Sequence, residues 1–299
     1  MRQGFASRGC LKLAALFLLS GILSAAPLCA QEVPYFVTYS HHMEEPCSLE
    51  VETKSAVGRP TGGNRFIGNA TEFEYGTTAW WTTEVYVDTT HTFNENTVFG
   101  GFRIENRVRP LFREHWINPV LYAEFEDINA ADKGILEVVG HDGKADFNEN
   151  NNVLRADKLR EMELKLILSS DAKGWNFSEN IITEKNLDNS PWEFGYALAA
   201  SRPLRLRGAA SPNAFSPQNF TAGAEMYGGL GDRYNAGLHN TSQYLGPVIG
   251  WQIPNGPRLS FSPSFGLNDY SLDHIFRVGV AYEVGQIGRI AHFKKSVSR

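Results

Sequence analysis

Three consecutive segments between Trp80 and Asp127 alternate apolar and polar residues with a period of two. Such a period predicts β-strands, each with one apolar face and one polar face. A soluble sheet buries its apolar face, whereas a membrane barrel turns it to lipid, so the pattern alone leaves both open. The apolar positions are Val85, Val87, Val98, Phe102, Ile104, Val108, Leu121, Ala123 and Phe125.

Similar segments recur over residues 48–284 and predict twelve strands. The first (48–57) and the eleventh (257–266) carry the weakest pattern, which leaves ten strands as the alternative. An even number is what a single-chain bacterial barrel requires, and its antiparallel closure brings both chain ends to one side. We therefore predict an all-β, up-and-down antiparallel transmembrane barrel, with a soluble β-sandwich as the competing fold.

The N-terminal region is typical of a secretory signal peptide, residues 1–30. Basic residues precede an apolar stretch from Leu13 to Leu23, and Ala30 is a suitable last residue before cleavage. Residues 31–47 lack a clear period and are expected to form a periplasmic lead-in, while residues 285–299 form a basic tail. Cys47 is the cysteine that remains after cleavage, so no internal disulfide is predicted.

Tryptophan placement favours the membrane barrel over the sandwich. With the N-terminus in the periplasm, five tryptophans fall at the periplasmic ends of the predicted strands, and only Trp192 falls at the other end. Tryptophan collects at membrane interfaces because its apolar body carries one polar N–H. The same threading places the loop 128–158 outside the cell. The five tryptophans are Trp80, Trp81, Trp116, Trp175 and Trp251.

On these features the chain resembles bacterial outer-membrane β-barrel proteins, over residues 48–284 and by pattern rather than by a signature motif. The resemblance implies a porin-like protein in the outer membrane, with lipid and the outer-membrane assembly machinery as partners. Members of this group usually end on an aromatic residue of the last strand. Here Phe276 and Tyr282 fall on the apolar face of the predicted last strand, but the chain continues to Arg299. The net charge of −5 argues against a nucleic-acid partner.

The polar faces of the predicted strands are expected to line the lumen. Opposite charges on neighbouring strands form cross-strand pairs. Such pairs line a narrow polar channel for small polar solutes, or they brace a sealed barrel, because twelve strands fall between filled and open barrels. The predicted lumen-lining residues are Glu84, Asp88, Arg103, Glu105, Arg107, Glu124, Glu126, Lys165 and Arg277.

Other candidate chemistry is weaker. His41 and His42, near Glu44 and Glu45, are metal-ligand types, but adjacent side chains on an extended segment point in opposite directions. A solvated periplasmic segment is therefore the preferred interpretation, and no metal or cofactor is predicted. The acidic residues of 142–149 do not fit the calcium-loop pattern, because Lys144 occupies an acidic position.

Passive passage of small polar solutes is the function that the sequence favours. The main alternative is a sealed structural or adhesive barrel that displays the loop 128–158 outside the cell. A soluble β-sandwich binding module and an outer-membrane hydrolase are further alternatives, although no G-x-S-x-G motif fixes a nucleophile and no enzyme is predicted. The loop residues considered for hydrolysis are His91, His141, His239, Ser271, Asp273 and His274.

Overall fold

The computed structural model describes residues 33–134, 138–188, 190–206 and 211–285. Twelve antiparallel strands form a closed barrel, in which consecutive strands pair and β1 pairs with β12. The prediction of a twelve-stranded antiparallel barrel is confirmed, and the soluble sandwich is wrong because the sheet closes on itself. The strands are β1 (Leu49–Gly58), β2 (Phe66–Thr78), β3 (Trp81–Thr92), β4 (Thr97–Val108), β5 (Asn118–Asn129), β6 (Lys158–Ala172), β7 (Trp175–Asn186), β8 (Glu193–Pro203), β9 (Phe220–Asp232), β10 (Gln243–Gln252), β11 (Arg258–Gly266) and β12 (His274–Glu283).

Helical structure is confined to connections. A four-residue helix, α1 (Asn151–Leu154), lies between β5 and β6, and a 3₁₀ turn (Pro217–Asn219) precedes β9. Within the described ranges, no helix has the length and apolar character needed to cross a membrane. The predicted signal peptide (1–30) and residues 286–299 of the basic tail lie outside the described residues.

The outer face of the barrel wall is apolar and the inner face is largely polar. Phe102, Ile104, Phe125 and Leu166 point outward and are 38–41% exposed, while the residues between them are turned inward. This is the arrangement in which lipid solvates the apolar face and the polar side chains satisfy one another inside.

A β-bulge corrects one predicted position. Asp88 of β3 pairs with Gly101 and Thr89 pairs with Phe99, so Gly100 is an extra residue in β4. Gly101 has a φ of 151°, which favours glycine. The extra residue reverses the alternation. Val98, predicted on the apolar outer face, therefore points inward and is buried, whereas Phe99 points outward.

The barrel has two distinct ends. The terminal end is where β1 begins and β12 ends, and the opposite end, where residues 130–157 connect β5 to β6, is called the loop end. The five tryptophans named above lie at the terminal end, together with the two shortest connections, 79–80 and 173–174, and Trp192 lies at the loop end. The terminal end is also where the chain enters the lumen.

Candidate functional site

The predicted charged residues of β3, β4 and β5 form a buried network inside the barrel. Arg103 binds Asp88 in a bidentate manner, with Nε 2.9 Å from Oδ2 and Nη2 3.1 Å from Oδ1. Its Nη1 lies 3.5 Å from Glu124 Oε1 on the other neighbouring strand. The guanidinium also packs 4.6 Å from the centre of the Tyr86 ring. Arg103 therefore joins three strands, because a planar guanidinium presents several donors at fixed angles.

Arg107, four residues after Arg103 on the same inner face of β4, joins a second set of carboxylates. Its Nε donates to Glu84 Oε1 at 2.7 Å and lies 3.2 Å from Glu105 Oε1, and its Nη2 contacts both Glu84 and Glu74. The cation also lies 5.1 Å from the centre of the Tyr39 ring. Tyr39 belongs to the lead-in, so this network reaches beyond the barrel wall.

The remaining predicted lumen residues are also buried and face inward. Lys165 Nζ forms an ion pair with Glu163 Oε1 at 2.8 Å, and Arg277 donates from Nη1 to the Ser264 hydroxyl at 3.0 Å. Glu126 lines a cavity near the loop end. Carboxylates outnumber cations on the inner wall as a whole. The inward carboxylates include Glu50, Glu52, Glu72, Glu74, Glu84, Asp88, Glu105, Glu124, Glu126, Glu161, Glu163, Glu184, Glu193 and Glu225, against Lys54, Arg103, Arg107, Lys165, Arg258 and Arg277.

Residues 33–48, here called the lumen segment, run inside the barrel. Pro34 lies near Gly250 at the terminal end, and Ser48 returns to the same end, where its hydroxyl donates to Glu283 at 2.8 Å. Between these points the chain reaches the middle of the lumen, where Phe36 and Val37 are buried. The expectation of a solvated lead-in is therefore wrong for these residues, because the barrel interior offers them both apolar contacts and hydrogen-bond acceptors.

One carboxylate on β9 holds the inner turn of the lumen segment. Glu225 accepts backbone N–H hydrogen bonds from Val37 at 2.8 Å and Thr38 at 2.7 Å, with longer contacts of 3.3 Å from Phe36. Three successive backbone donors around one ionised acceptor form a small anion-binding concavity. Glu225 thus satisfies amides that would otherwise be buried without partners.

Tyr39 connects the lumen segment to the opposite wall. Its backbone N–H donates to Asn180 Oδ1 at 2.6 Å, and the Asn180 amide donates back to the Tyr39 carbonyl at 3.0 Å. Its hydroxyl donates to Glu105 at 3.0 Å and lies 3.1 Å from the Tyr86 hydroxyl. Its ring packs edge-on against Tyr122. The segment therefore spans the lumen from β9 to β4.

The connection 130–157, here called the inner loop, enters the barrel from the loop end. Glycines on the wall make room for its backbone: a Cβ on Gly68 would lie 2.0 Å from the Lys133 carbonyl oxygen, and one on Gly229 would lie 2.3 Å from that of Gly140. Val139 is buried. The expectation of a loop displayed outside the cell needs correction, because the first half of the loop packs within the mouth.

The two inserted segments meet inside the barrel. Phe36 and Val37 of the lumen segment belong to the same buried apolar cluster as Val138 and Val139 of the inner loop. The wall completes that cluster with Ala56, Phe66, Ile182, Ala197, Tyr227, Tyr244, Leu272 and Ile275. An apolar cluster therefore occupies the lumen on the side of β7–β12, β1 and β2, where the alternation on the wall predicted only a polar interior.

A cavity of about 470 Å³ lies between the inner loop and the wall. Its charged lining residues are eight carboxylates and one cation, Arg103. In the inner loop, burial and then Asp88 raise the pKa of Asp132 to about 7, although Arg103 opposes the shift. The lining carboxylates are Glu126, Asp132, Asp142, Asp146, Glu149, Glu161, Glu184 and Glu193.

The two adjacent histidines lie together, which the sequence argument did not predict. The chain bends at His41, and the centres of the His41 and His42 rings are 4.6 Å apart. Both rings face Asp171, at the end of β6. Adjacent side chains point in opposite directions only on an extended backbone, and the backbone at His41 is bent. Glu44 and Glu45, also considered as ligands, lie instead near Gly76 on β2.

The residues considered for hydrolysis do not converge within the described part of the chain. Ser271 Oγ donates to the Gln243 carbonyl at 2.9 Å, and His91 Nδ1 lies 2.8 Å from Thr97 Oγ1. His141 Nδ1 lies 3.2 Å from the backbone carbonyl of Asn240. The other three are exposed: His239, Asp273 and His274.

A serine–histidine contact does occur at His41, whose Nδ1 lies 2.8 Å from Ser169 Oγ. Ser169 is buried, and its hydroxyl also contacts Ser178 at 2.9 Å and the Asn176 amide at 3.3 Å. These partners surround the oxygen and leave no approach for a substrate carbonyl. The contact orients the histidine rather than activating a nucleophile.

Sequence reasoning missed the lumen segment and its binding residue Glu225. Two signals were present: aromatic residues such as Tyr35 and Tyr39 in a short stretch without period, and a single acidic residue in the small-residue strand from Ala222 to Gly229. Neither signal shows that the aromatic stretch and the acidic residue are in contact, because the residues that meet are nearly two hundred positions apart in the sequence.

Comparison with known proteins supports the fold. No protein-family model matches the chain, and no curated protein matches its sequence. An outer-membrane channel from Pseudomonas putida F1 superposes with a TM-score of 0.51 at 9% identity, covering 81% of this chain and 97% of that one. The KdgM porin in complex with disordered oligogalacturonate gives 0.43 at 8% identity, covering 79% and 98%. LpxR from Salmonella typhimurium gives 0.40 at 9%, covering 79% and 99%.

The chain therefore has the fold of bacterial outer-membrane β-barrel proteins, and the resemblance stated from its sequence is confirmed at that level. At 9% identity, the match to the Pseudomonas channel shows the shared fold alone.

Proposed function

We propose that the protein is a bacterial outer-membrane channel for small polar solutes, with its terminal end in the periplasm and its lumen closed at rest. The observation that carries the proposal is the way in which the lumen is closed. Two segments that are not part of the wall, the lumen segment and the inner loop, meet in one apolar cluster within a wall lined by charged side chains. Wall side chains alone fill a barrel of about eight strands, so a twelve-stranded barrel depends on additional segments for closure, and segments outside the wall can be displaced without opening the sheet.

The charge of the wall favours cations over anions. Carboxylates outnumber cations on the inner face of the barrel, and eight carboxylates against one cation, Arg103, line the cavity beneath the inner loop. Rings and patches of carboxylates select cations in pores. We therefore propose small cationic or neutral polar solutes as those that pass when the segments are displaced. The channel character of the Pseudomonas structure is consistent with this proposal.

Deletion of the two closing segments tests the function. Three variants are compared with the wild type in planar bilayers: one without residues 34–44, one with residues 131–156 replaced by a short Gly/Ser linker, and one with both changes. The double variant is expected to conduct steadily and to prefer K⁺ over Cl⁻ in its reversal potential, while the wild type conducts rarely.

Folding of each variant is checked by its heat-modifiable migration on a gel. A double variant that folds but conducts no more than an empty bilayer would show that the wall itself is sealed. The structural-barrel alternative would then replace the channel.

A further inference from the structure

Two histidines and two carboxylates meet where the lumen segment leaves the barrel. One ring nitrogen of His41, one of His42 and one carboxylate oxygen of Asp171 all lie within 4.8 Å of one another. His42 Nε2 is 3.0 Å from Asp171 Oδ2, and His41 Nε2 is 3.7 Å from the same oxygen. Glu114 Oε2, from the β4–β5 connection, is 3.0 Å from His41 Nε2. Three parts of the chain therefore bring metal-ligand atoms to one place.

These separations match the spacing of ligands around a small ion. Around a tetrahedral Zn²⁺ with bonds of about 2.0–2.1 Å, neighbouring ligand atoms are about 3.3 Å apart. The contacts of His41 with the two carboxylates bracket that distance at 3.0 and 3.7 Å. His41 is buried, yet its Nε2 has no hydrogen-bond partner among the described residues, although Glu114 is within reach. His42 Nε2 already has a hydrogen bond with Asp171 Oδ2 at 3.0 Å, so His41 Nε2 is the buried ligand atom in this cluster that lacks one.

Each carboxylate uses one oxygen for a hydrogen bond and turns the other to the histidines. Asp171 Oδ1 accepts from the Asn176 amide at 2.7 Å, and Glu114 Oε1 accepts from Arg109 at 2.6 Å. The Ser169 hydroxyl lies 2.8 Å from His41 Nδ1. Partners of this kind orient the ligands of metal sites.

The Ser169 hydroxyl also bears on the tautomer of His41 that a metal ion needs. When Nδ1–H of His41 donates to Ser169, the lone pair of the neutral imidazole lies on Nε2, the atom that faces the carboxylates. Asp171 and Glu114 are half-exposed to exposed, with side-chain exposures of 47% and 63%, so an ion can enter from the terminal end.

We propose that His41, His42, Asp171 and Glu114 form a binding site for a divalent transition-metal ion of the Zn²⁺ type. Two imidazoles favour such an ion over Mg²⁺ or Ca²⁺, which prefer oxygen ligands. Because the histidines belong to the lumen segment and the carboxylates belong to the barrel, the ion clamps the segment in place. The binding site stands on its own geometry, whereas an effect of the clamp on conduction rests on the proposed function.

Metal titration of the purified, folded barrel tests the site. Zn²⁺ is expected to bind at about one ion per chain, as measured by calorimetry and by elemental analysis after removal of excess ion. His42→Ala and Asp171→Asn should abolish stoichiometric binding, and Ser169→Ala should weaken it by about 10- to 100-fold. His91→Ala is the matched control, because His91 lies at the loop end of the barrel, away from the site, and this variant should bind Zn²⁺ as the wild type does. Substoichiometric binding by the wild type, or equal affinity in His42→Ala, would overturn the site.

Hydrogen exchange tests the clamp independently of conduction. Zn²⁺ should slow amide exchange over residues 36–42 in the wild type and leave it unchanged in His42→Ala. Binding with no change in exchange would overturn the clamp. The two proposals can fail separately. If Zn²⁺ binds and slows amide exchange as expected, but the double-deletion variant conducts no current, the channel proposal is wrong and the metal site stands.

Discussion

Replacement of Glu225 by alanine should release the lumen segment. Glu225 accepts short backbone hydrogen bonds from Val37 at 2.8 Å and Thr38 at 2.7 Å, and the amide of Phe36 lies 3.3 Å away. Without the carboxylate, these amides are satisfied by water only if the segment leaves the lumen. The substitution therefore removes a contact that exists only in the closed state.

The size of the expected shift in docking of the lumen segment follows from the two short hydrogen bonds to Glu225. A hydrogen bond to a charged group contributes about 1.5–3 kcal/mol, so two of them stabilise the docked segment by about 3–6 kcal/mol. At about 1.4 kcal/mol for each factor of ten, Glu225→Ala should shift the docking equilibrium by about 10²- to 10⁴-fold toward the undocked segment. Glu225→Gln keeps the shape and a neutral acceptor, so it should give an intermediate shift.

Hydrogen exchange and single-channel recording measure that shift. Amides 36–38 should exchange faster in Glu225→Ala, and channel openings should become more frequent. Glu179→Ala is the matched control, because it removes the same charge from an exposed position on the outer face of β7. If Glu225→Ala folds normally and amides 36–38 remain as protected as in the wild type, Glu225 does not hold the segment.

Three further predictions concern the wall and the inner loop. Ile104→Arg, at mid-strand on the outer face, should cost about 2–4 kcal/mol of unfolding free energy, and Val108→Arg near the interface about 0–1 kcal/mol, by denaturant titration; equal losses would argue against lipid contact. Arg103→Ala should lower the unfolding midpoint clearly, because it leaves Asp88 buried without its bidentate partner, and it should raise cation preference in the double-deletion background. The pKa of Asp132, raised to about 7 from 3.8, means that docking of the inner loop is strongest below pH 3.8 and weakens as pH rises to about 7. Protease cleavage of that loop should therefore increase over this range, and Asp132→Asn should flatten the increase.

The barrel wall was predictable because each strand lies between two different environments. Lipid on one side and polar side chains on the other impose a period of two that is visible in short stretches, as around Ile104 and Glu124. The bulge at Gly100 and Gly101 was not predicted, since two glycines do not by themselves reveal an extra residue. The inward orientation of Arg103, Glu105 and Arg107 was predicted correctly because all three follow the bulge in β4.

The closure of the lumen was not predictable in the same way. The lumen segment and the inner loop follow no period, because their side chains meet different surroundings at each position. Their partners are also distant in sequence: Val37 and Glu225 are 188 residues apart, and Tyr39 and Asn180 are 141 apart. A pattern within a window of ten residues contains no information about such pairs. The histidine pair was misjudged for a related reason, since the bend at His41 depends on the barrel around it.

The lumen segment enters and leaves the barrel at the same end, and this has a mechanical consequence. Withdrawing it requires no end of the chain to be threaded through the pore and no strand pair to open. A pull applied before Val33 would load the contacts one after another: first Tyr35 at Asn176, then the amides at Glu225, then Tyr39 at Asn180, and finally the histidines. Contacts broken in series yield at low force, whereas the β1–β12 pairing resists as a row of hydrogen bonds loaded together. The closing segment can therefore be peeled out while the barrel stays intact.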